Sequence, residues 1–183
     1  TISAAANPAL ANNIIQETLA EKPKQVEVQI TSPSDTSVTL PGGYINAAGE
    51  VIFDAEVREL NGRDEEAISR TTTIGKAFSV ILQRGVVRIG SEKATDEILD
   101  RLLTGDRDML TLAIFKVTFG KEAEVGAYCS TCKEEKTVTV DIDEDIKVKG
   151  LLDPVDDRRF IVQGKTQEFT VQLPTGVTQK ELF

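Results

Sequence analysis

No histidine and no tryptophan occur in this chain, and only two of its 183 residues are cysteine. Without histidine no Ser-His-Asp or Cys-His nucleophile system can be built. A usual four-ligand Cys/His zinc site is also out of reach of one copy, since two thiolates supply half of a tetrahedral set. Two cysteines do not make a disulfide-rich secreted scaffold. Aromatic residues are 5% of the chain, too few for base-stacking platforms. Neither a GxxxxGK[ST] phosphate loop nor a GxGxxG fingerprint is present. Catalysis is therefore disfavoured, and the chain reads as a non-enzyme.

Positive charge is scarce as well. Lys and Arg number 21 against 30 Asp and Glu, a formal net charge of −9. Such a chain is repelled by nucleic-acid phosphates and anionic membranes. No apolar run approaches the roughly 18 to 20 residues that span a bilayer. Nucleic acid and a membrane span are thus not expected. The opening TISAAANPALANN does not read as a signal peptide. Cytoplasmic synthesis is the expectation, with Thr1 following a removed Met or lying within a longer chain. The ending LPTGVTQKELF, with Thr178 as a helix cap, predicts that the chain continues past Phe183.

What is present is a globular pattern, 40% hydrophobic, in a chain long enough for a real core. Pro8 to Glu21 has a helical stripe of Leu10, Ile14 and Leu19, and Val26, Val28 and Ile30 alternate as a strand. Pro41-Gly42-Gly43 and Asn46 to Gly49 carry turn chemistry. Val51 to Leu60 alternates and should pair back to the segment near Leu40. Asn61 caps a helix whose early acids suit its positive end. A second helix covers Ile74 to Gln83, and Val86 to Ile89 is a short strand. Thr95 caps a helix to Leu103 that buries Ile98, Leu99, Leu102 and Leu103. Gly105-Asp106 is expected to break the chain and cap the next helix, Arg107 to Phe119, which Gly120 stops. Leu110, Ile114 and Val117 make that helix the most buried one.

Beyond it, strands at Ala123–Tyr128 and Thr137–Ile142 flank Cys129-Ser130-Thr131-Cys132, a CxxC at a hairpin turn. Lys149 to Asp157 is a loop, and Phe160–Val162 with Gln167–Leu173 form a further hairpin around Gly164. The fold class is α+β: a helical middle, roughly 61 to 121, flanked by small antiparallel sheets, with a CxxC hairpin knuckle. Three regions follow. Residues 1–37 form an N-terminal helix and strand arm, 38–121 a strand plus helical domain, and 122–183 a β-rich knuckle and C-terminal hairpin.

Two groups of side chains are candidate sites. Cys129 and Cys132 could take zinc with a second chain's pair, take it with Glu134 and Glu135, or form a redox disulfide. Equally, they are two reduced cysteines in a tight turn. No cofactor is otherwise expected. Arg58, Arg63, Asp64 and Glu65, with Glu59 and Glu66, form either a charge network that faces a partner or exposed helix positions worth little each. The acids Asp141, Asp143, Glu144 and Asp145 lack the glycine and the twelfth-position Glu of a calcium loop and read as a solvated strand end.

Several stretches together resemble the T4-type bacteriophage baseplate protein family, with relatives in tailed phages and contractile injection systems. They are LPGGYINAAGE at 40–50, VRELNGRDEEAI at 57–68 and VILQRGVVRIG at 80–90. LTGDRDMLTLAIFKVTFGKEAEVGAYCSTC follows at 103–132, and FTVQLPTGVTQKEL at 169–182. Where members of the family carry a fuller knuckle, this chain has no second ligand pair. The resemblance implies a structural component of a tail tip or baseplate hub, located in the virion tail. Its partners would be other phage tail and baseplate proteins, in several copies around a symmetry axis. The alternative is an assembly chaperone of the hub or tape-measure protein that is absent from the mature particle. Edge strands such as Val26–Ile30 or Gln167–Leu173 could pair with a neighbour's strand.

Overall fold

Alternation of apolar and polar residues along Val38, Thr39 and Leu40 starts the central sheet. The computed structural model describes residues 36–182. β1 (Ser37–Ile45) pairs antiparallel with β2 (Val51–Val57), as the alternation predicts. β3 (Val86–Ile89) joins the far side of β2, and β4 (Glu92–Lys93) closes the order β1-β2-β3-β4. β4 is too short to show a period in the sequence. The inward residues Val38, Leu40, Ala55, Val57 and Ile89 are buried. The Asn46 side chain accepts from the Ala48 and Glu50 N–H groups, which makes the expected turn between β1 and β2.

Pro41-Gly42-Gly43 is not a turn. These residues lie inside β1, where five steps from Thr39 to Tyr44 oppose two on β2 from Asp54 to Ile52. The excess forms a bulge, and bulges re-aim a strand and free its backbone groups from the ladder. Gly43 sits at φ +72°, which a side chain would strain. A β-carbon on Gly42 would lie 2.6 Å from Leu103 and 3.0 Å from an Asp106 oxygen. The two glycines thus mark a bulge pressed against a helix, and their turn-like composition misled the sequence reading.

Two of the helices pack on this sheet, and the others of the middle region pack on them. α1 (Gly62–Ser69) starts at Asn61, whose side chain accepts from the Arg63 and Asp64 N–H groups. Asp64 reaches back to the Asn61 N–H, completing a capping box. α2 (Ile74–Gly85) is capped by Thr73 and runs on through Arg84-Gly85 before β3. α3 (Asp96–Arg101) is capped by Thr95 as expected, but ends before Leu102, where the backbone turns extended. Leu102 and Leu103 are nonetheless buried.

α4 (Thr104–Phe119) packs against β1, β2 and α2 and buries Leu110, Ala113 and Ile114. Gly105 and Asp106 do not break the chain; they lie in the first turn of α4. Leu103 stands at its N-cap and makes no side-chain cap bond. The Asp106 carboxylate is used elsewhere, on the β1 bulge. Gly120, at φ +98°, ends the helix as predicted.

The C-terminal third is two hairpins and two short helices. β5 (Glu122–Tyr128) pairs with β6 (Glu135–Asp141), and the CxxC lies in their connection. α5 (Ile142–Asp145) is one turn capped by Asp141. A 3-10 turn at Asp156–Arg158 leads into β7 (Arg159–Gln163), which pairs with β8 (Glu168–Gln172) around the Gly164 turn. α6 (Gly176–Leu182) docks on α3 and α4. It begins before Thr178, so that residue lies inside the helix. Its hydroxyl instead accepts from the Thr175 N–H at 3.5 Å. The architecture is the expected α+β one, with the difference that β3 and β4 return from the helical middle to the first sheet. The readings of Pro8–Glu21 and Val26–Ile30 lie outside the described residues.

Candidate interaction surface and the buried charges behind it

The first turn of α4 places two charged side chains inside the protein. Asp106 is 0% exposed and Arg107 is 4% exposed. Charge is rarely buried unless something on the inside receives it. Asp106 accepts the Gly42 N–H at 2.6 Å, a backbone group the bulge has released from the sheet. On the other side of the same bulge, Arg158 donates to the Gly42 carbonyl at 3.2 Å and the Gly43 carbonyl at 2.5 Å. The bulge is thus clamped between a carboxylate from α4 and a guanidinium from just before β7. Burial pushes the Asp106 carboxyl above the usual carboxylate range, while the Gly42 N–H and the Arg158 charge pull it back. Its second oxygen, Oδ2, has no hydrogen-bond partner among the described residues.

Arg107 points the other way. It donates to the Leu99 carbonyl at 2.8 Å, capping the end of α3, and to the Gln179 side chain at 3.0 Å. Lys180 reaches Asp100 at 2.7 Å, and Gly176 donates to the Leu102 carbonyl at 3.1 Å. Within one Asp-Arg dipeptide, Asp106 therefore holds the β1 bulge that Arg158 also binds, and Arg107 holds α6.

Asp64 is the third buried charge. Arg58 donates to it at 2.8 Å, and Arg84 lies 3.9 Å away. The Arg58 hydrogen bond holds the Asp64 carboxyl below the usual range, against the opposing effect of burial. Of the residues singled out by sequence, Arg58 and Asp64 are thus brought together, while Arg63 and Glu65 stand exposed on α1. Asp64→Asn is expected to cost about 1 kcal/mol at neutral pH, since Arg58 is partly solvated and the pair is screened. The sign follows from the lowered folded pKa. Asp64 stabilises above its unfolded value of about 3.9, and that contribution is lost as pH falls through the folded value. Urea melts of both proteins from pH 7 to pH 3 should therefore converge at the acid end. A constant gap would remove the charge from the explanation.

The two C-terminal hairpins differ from the rest of the molecule in having almost no cover. Every residue of β7 and β8 is exposed. The register sets Phe160 opposite Val171 and Val162 opposite Phe169, so these four share one face. Phe160 and Phe169 are 47% and 48% exposed. On the other hairpin, Ala123, Val125 and Ala127 share a face with Val140, Val138 and Lys136. The opposite face carries Glu122, Glu124, Tyr128, Glu135 and Asp141. A two-stranded sheet is marginal by itself in water. Contiguous exposed apolar side chains are uncommon on the surface of a monomeric protein. Among the described residues, each hairpin is a two-stranded sheet whose outer edges pair with no other strand.

Cys129 and Cys132 sit at the exposed tip of the β5–β6 hairpin, both as free thiols. The Cys129 N–H donates to the Glu134 carbonyl, and Lys133, at φ 58°, donates back to Cys129. This is a tight knuckle turn of the expected shape. Hydrogen bonds from the Cys132 and Thr131 backbone lower the Cys129 thiol, so it ionises more readily than an ordinary cysteine. No group of three or more Cys, Asp or Glu side chains suited to a metal occurs among the described residues. The pair supplies half of a tetrahedral zinc set and does not fit a complete site.

The sequence reading missed Asp106 and Arg107 as structural keystones. A buried charged dipeptide in a helix otherwise rich in Leu, Ile and Phe was the signal available, but its partners lie 64 and 72 residues away. No helix among the described residues is long and apolar enough to cross a membrane.

Comparison with curated proteins and with solved structures finds no match. A protein-family model described as "T4 bacteriophage base plate protein" does match, over residues 57–180. That span takes in β3, β4, both hairpins, the helices α1 to α5 and most of α6, and the Asp64, Asp106 and Arg107 side chains, but not the β1 bulge. The chain therefore belongs to the T4 bacteriophage base plate protein family: it is a component of the phage baseplate, its place is the virion tail, and its partners are other phage proteins.

Proposed function

We propose that the protein is a structural component of the baseplate hub or tail tip that acts by protein-protein contact. The observation that carries this reading is the pair of uncovered hairpins with apolar faces, carried on a well-packed core. Residues 122–183 serve as the docking region, and residues 38–121 as the body that holds them. The exposed Arg63 and Glu65 on α1 offer a second, polar contact, while Asp64 and Arg58 keep that helix in place. Hairpin edges pair with strands of neighbouring subunits, and several copies sit around the tail axis. The role is non-enzymatic.

A second reading rests on charge. Residues 121 to 145 carry eight acids against three lysines, more than half of the chain's net negative charge. An acidic apolar hairpin is suited to holding a basic hub or tape-measure protein until it is assembled, and then leaving. Quantitative mass spectrometry of purified particles beside infected-cell lysate separates the two. A fixed small copy number in the particle is the expected result. Presence in the lysate alone would overturn the structural role and leave the assembly chaperone.

A further inference from the structure

Away from the hairpin faces, a cleft of 580 Å³ opens among Ile45 of β1, Arg101 at the end of α3, the Val155–Arg159 segment and Val177 of α6. Three of its wall residues are arginines: Arg101, Arg158 and Arg159. In a chain with nine more acids than bases, such a concentration of guanidinium runs against composition. Arg158 faces the buried Asp106 across the bulge, but the other two have no such partner among the described residues. Arg88, for comparison, binds both Asp54 and Glu56. Arg101 and Arg159 are exposed and form no salt bridge among the described residues. Glu97, one turn back on α3, feels the Arg101 charge without contacting it.

Arg158 uses Nη2 on the bulge carbonyls and Nε on the Pro154 carbonyl at 2.5 Å. That fixes its plane and leaves Nη1 without an acceptor among the described residues, and a guanidinium so held is pre-organised for an anion. Asp156 is the single carboxylate on the wall, and Ile45, Val155 and Val177 give it an apolar half.

We propose that this cleft binds a short carboxylate-bearing peptide segment of a partner protein. Its acidic side chains meet Arg101, Arg158 and Arg159, and its apolar side chains rest on Ile45, Val155 and Val177. The apolar half and the overall charge choose a peptide over a polyphosphate. An oligonucleotide brings a continuous row of charges toward an acidic protein, whereas a peptide brings only those the arginines face. The inference rests on the cleft, which the first residue of β7 and the last of β8 help to line, and not on the apolar face of that hairpin.

The test uses the full chain and a fluorescently labelled hexapeptide of alternating Asp and Val, read by anisotropy at low salt. The probe is expected to bind, and to lose affinity at least about tenfold in R101Q/R159Q. Both substituted residues are exposed, so the melting temperature should stay put; Arg158 is left alone because it clamps the bulge. Lys147→Gln, which removes an exposed cation elsewhere, should leave binding unchanged. Inorganic phosphate and an oligothymidylate should displace the probe less well than unlabelled peptide. Failure of the probe to bind, equal affinity in R101Q/R159Q, or better displacement by phosphate or oligothymidylate would each overturn the proposal.

Discussion

Asp106→Ala is expected to destabilise the protein by roughly 3 kcal/mol, the largest single effect among the polar residues. Two losses combine. The Gly42 N–H becomes a buried donor without an acceptor, worth about 1–3 kcal/mol. Arg158 also loses the charge that it faces across the bulge. Asp106→Asn should cost much less, because an amide oxygen can still accept from Gly42. Burial also raises the Asp106 pKa, so folding favours its protonated form. That contribution is present at acid pH and is lost as pH rises through the folded value, opposite in sign to Asp64. The Asn variant should lack this dependence. Denaturant midpoints across pH 4 to 8, with hydrogen exchange at the Gly42 amide, read both effects. An Asp106→Ala protein of wild-type stability with a protected Gly42 amide would show that the clamp does not hold the bulge.

The second large effect is expected in assembly rather than stability. Phe160→Asp with Phe169→Asp places two charges on the apolar face of the β7–β8 hairpin. Both side chains are already about half solvated, so the melting temperature should fall by only a few degrees. Burying the remaining half of each against a partner contributes on the order of 1 kcal/mol per ring, and a buried charge in its place is strongly unfavourable. Phage assembly that depends on this variant should yield below about one tenth of the normal infectious particles, as hot-spot residues at interfaces do. Ile161→Asp, on the opposite face, serves as the matched control. Normal particle yield from a folded double variant would rule out this hairpin face as the docking surface, whatever the role of the β5–β6 hairpin.

These expectations draw on different levels of the molecule, and the levels were not equally legible. Asn61 and Thr95 announced their helices because a cap acts on N–H groups two or three residues away. The β5–β6 and β7–β8 hairpins were legible for a similar reason: alternation and a turn are local, and each strand pairs with its sequence neighbour. The knuckle at Cys129 and Cys132 belongs to the same class. Motif order likewise carried the family, since it needs no knowledge of contacts.

What the sequence by itself determined is therefore the α+β class, most of the element boundaries within a few residues, the caps at Asn61 and Thr95, and the family. The tertiary structure decided the rest. It turned Pro41-Gly42-Gly43 from a turn into a bulge and drew Gly105-Asp106 into α4. It also spent Asp64 on an internal ion pair and gathered three arginines around one cleft. Each of these depends on partners from distant parts of the chain, 64 residues apart for Gly42 and Asp106 and 115 apart for Gly43 and Arg158. A glycine's backbone freedom and a carboxylate's appetite for N–H donors are satisfied equally well by a turn, a cap or a long-range clamp. Local pattern cannot choose among those outcomes, because the choice is made by which groups become buried together.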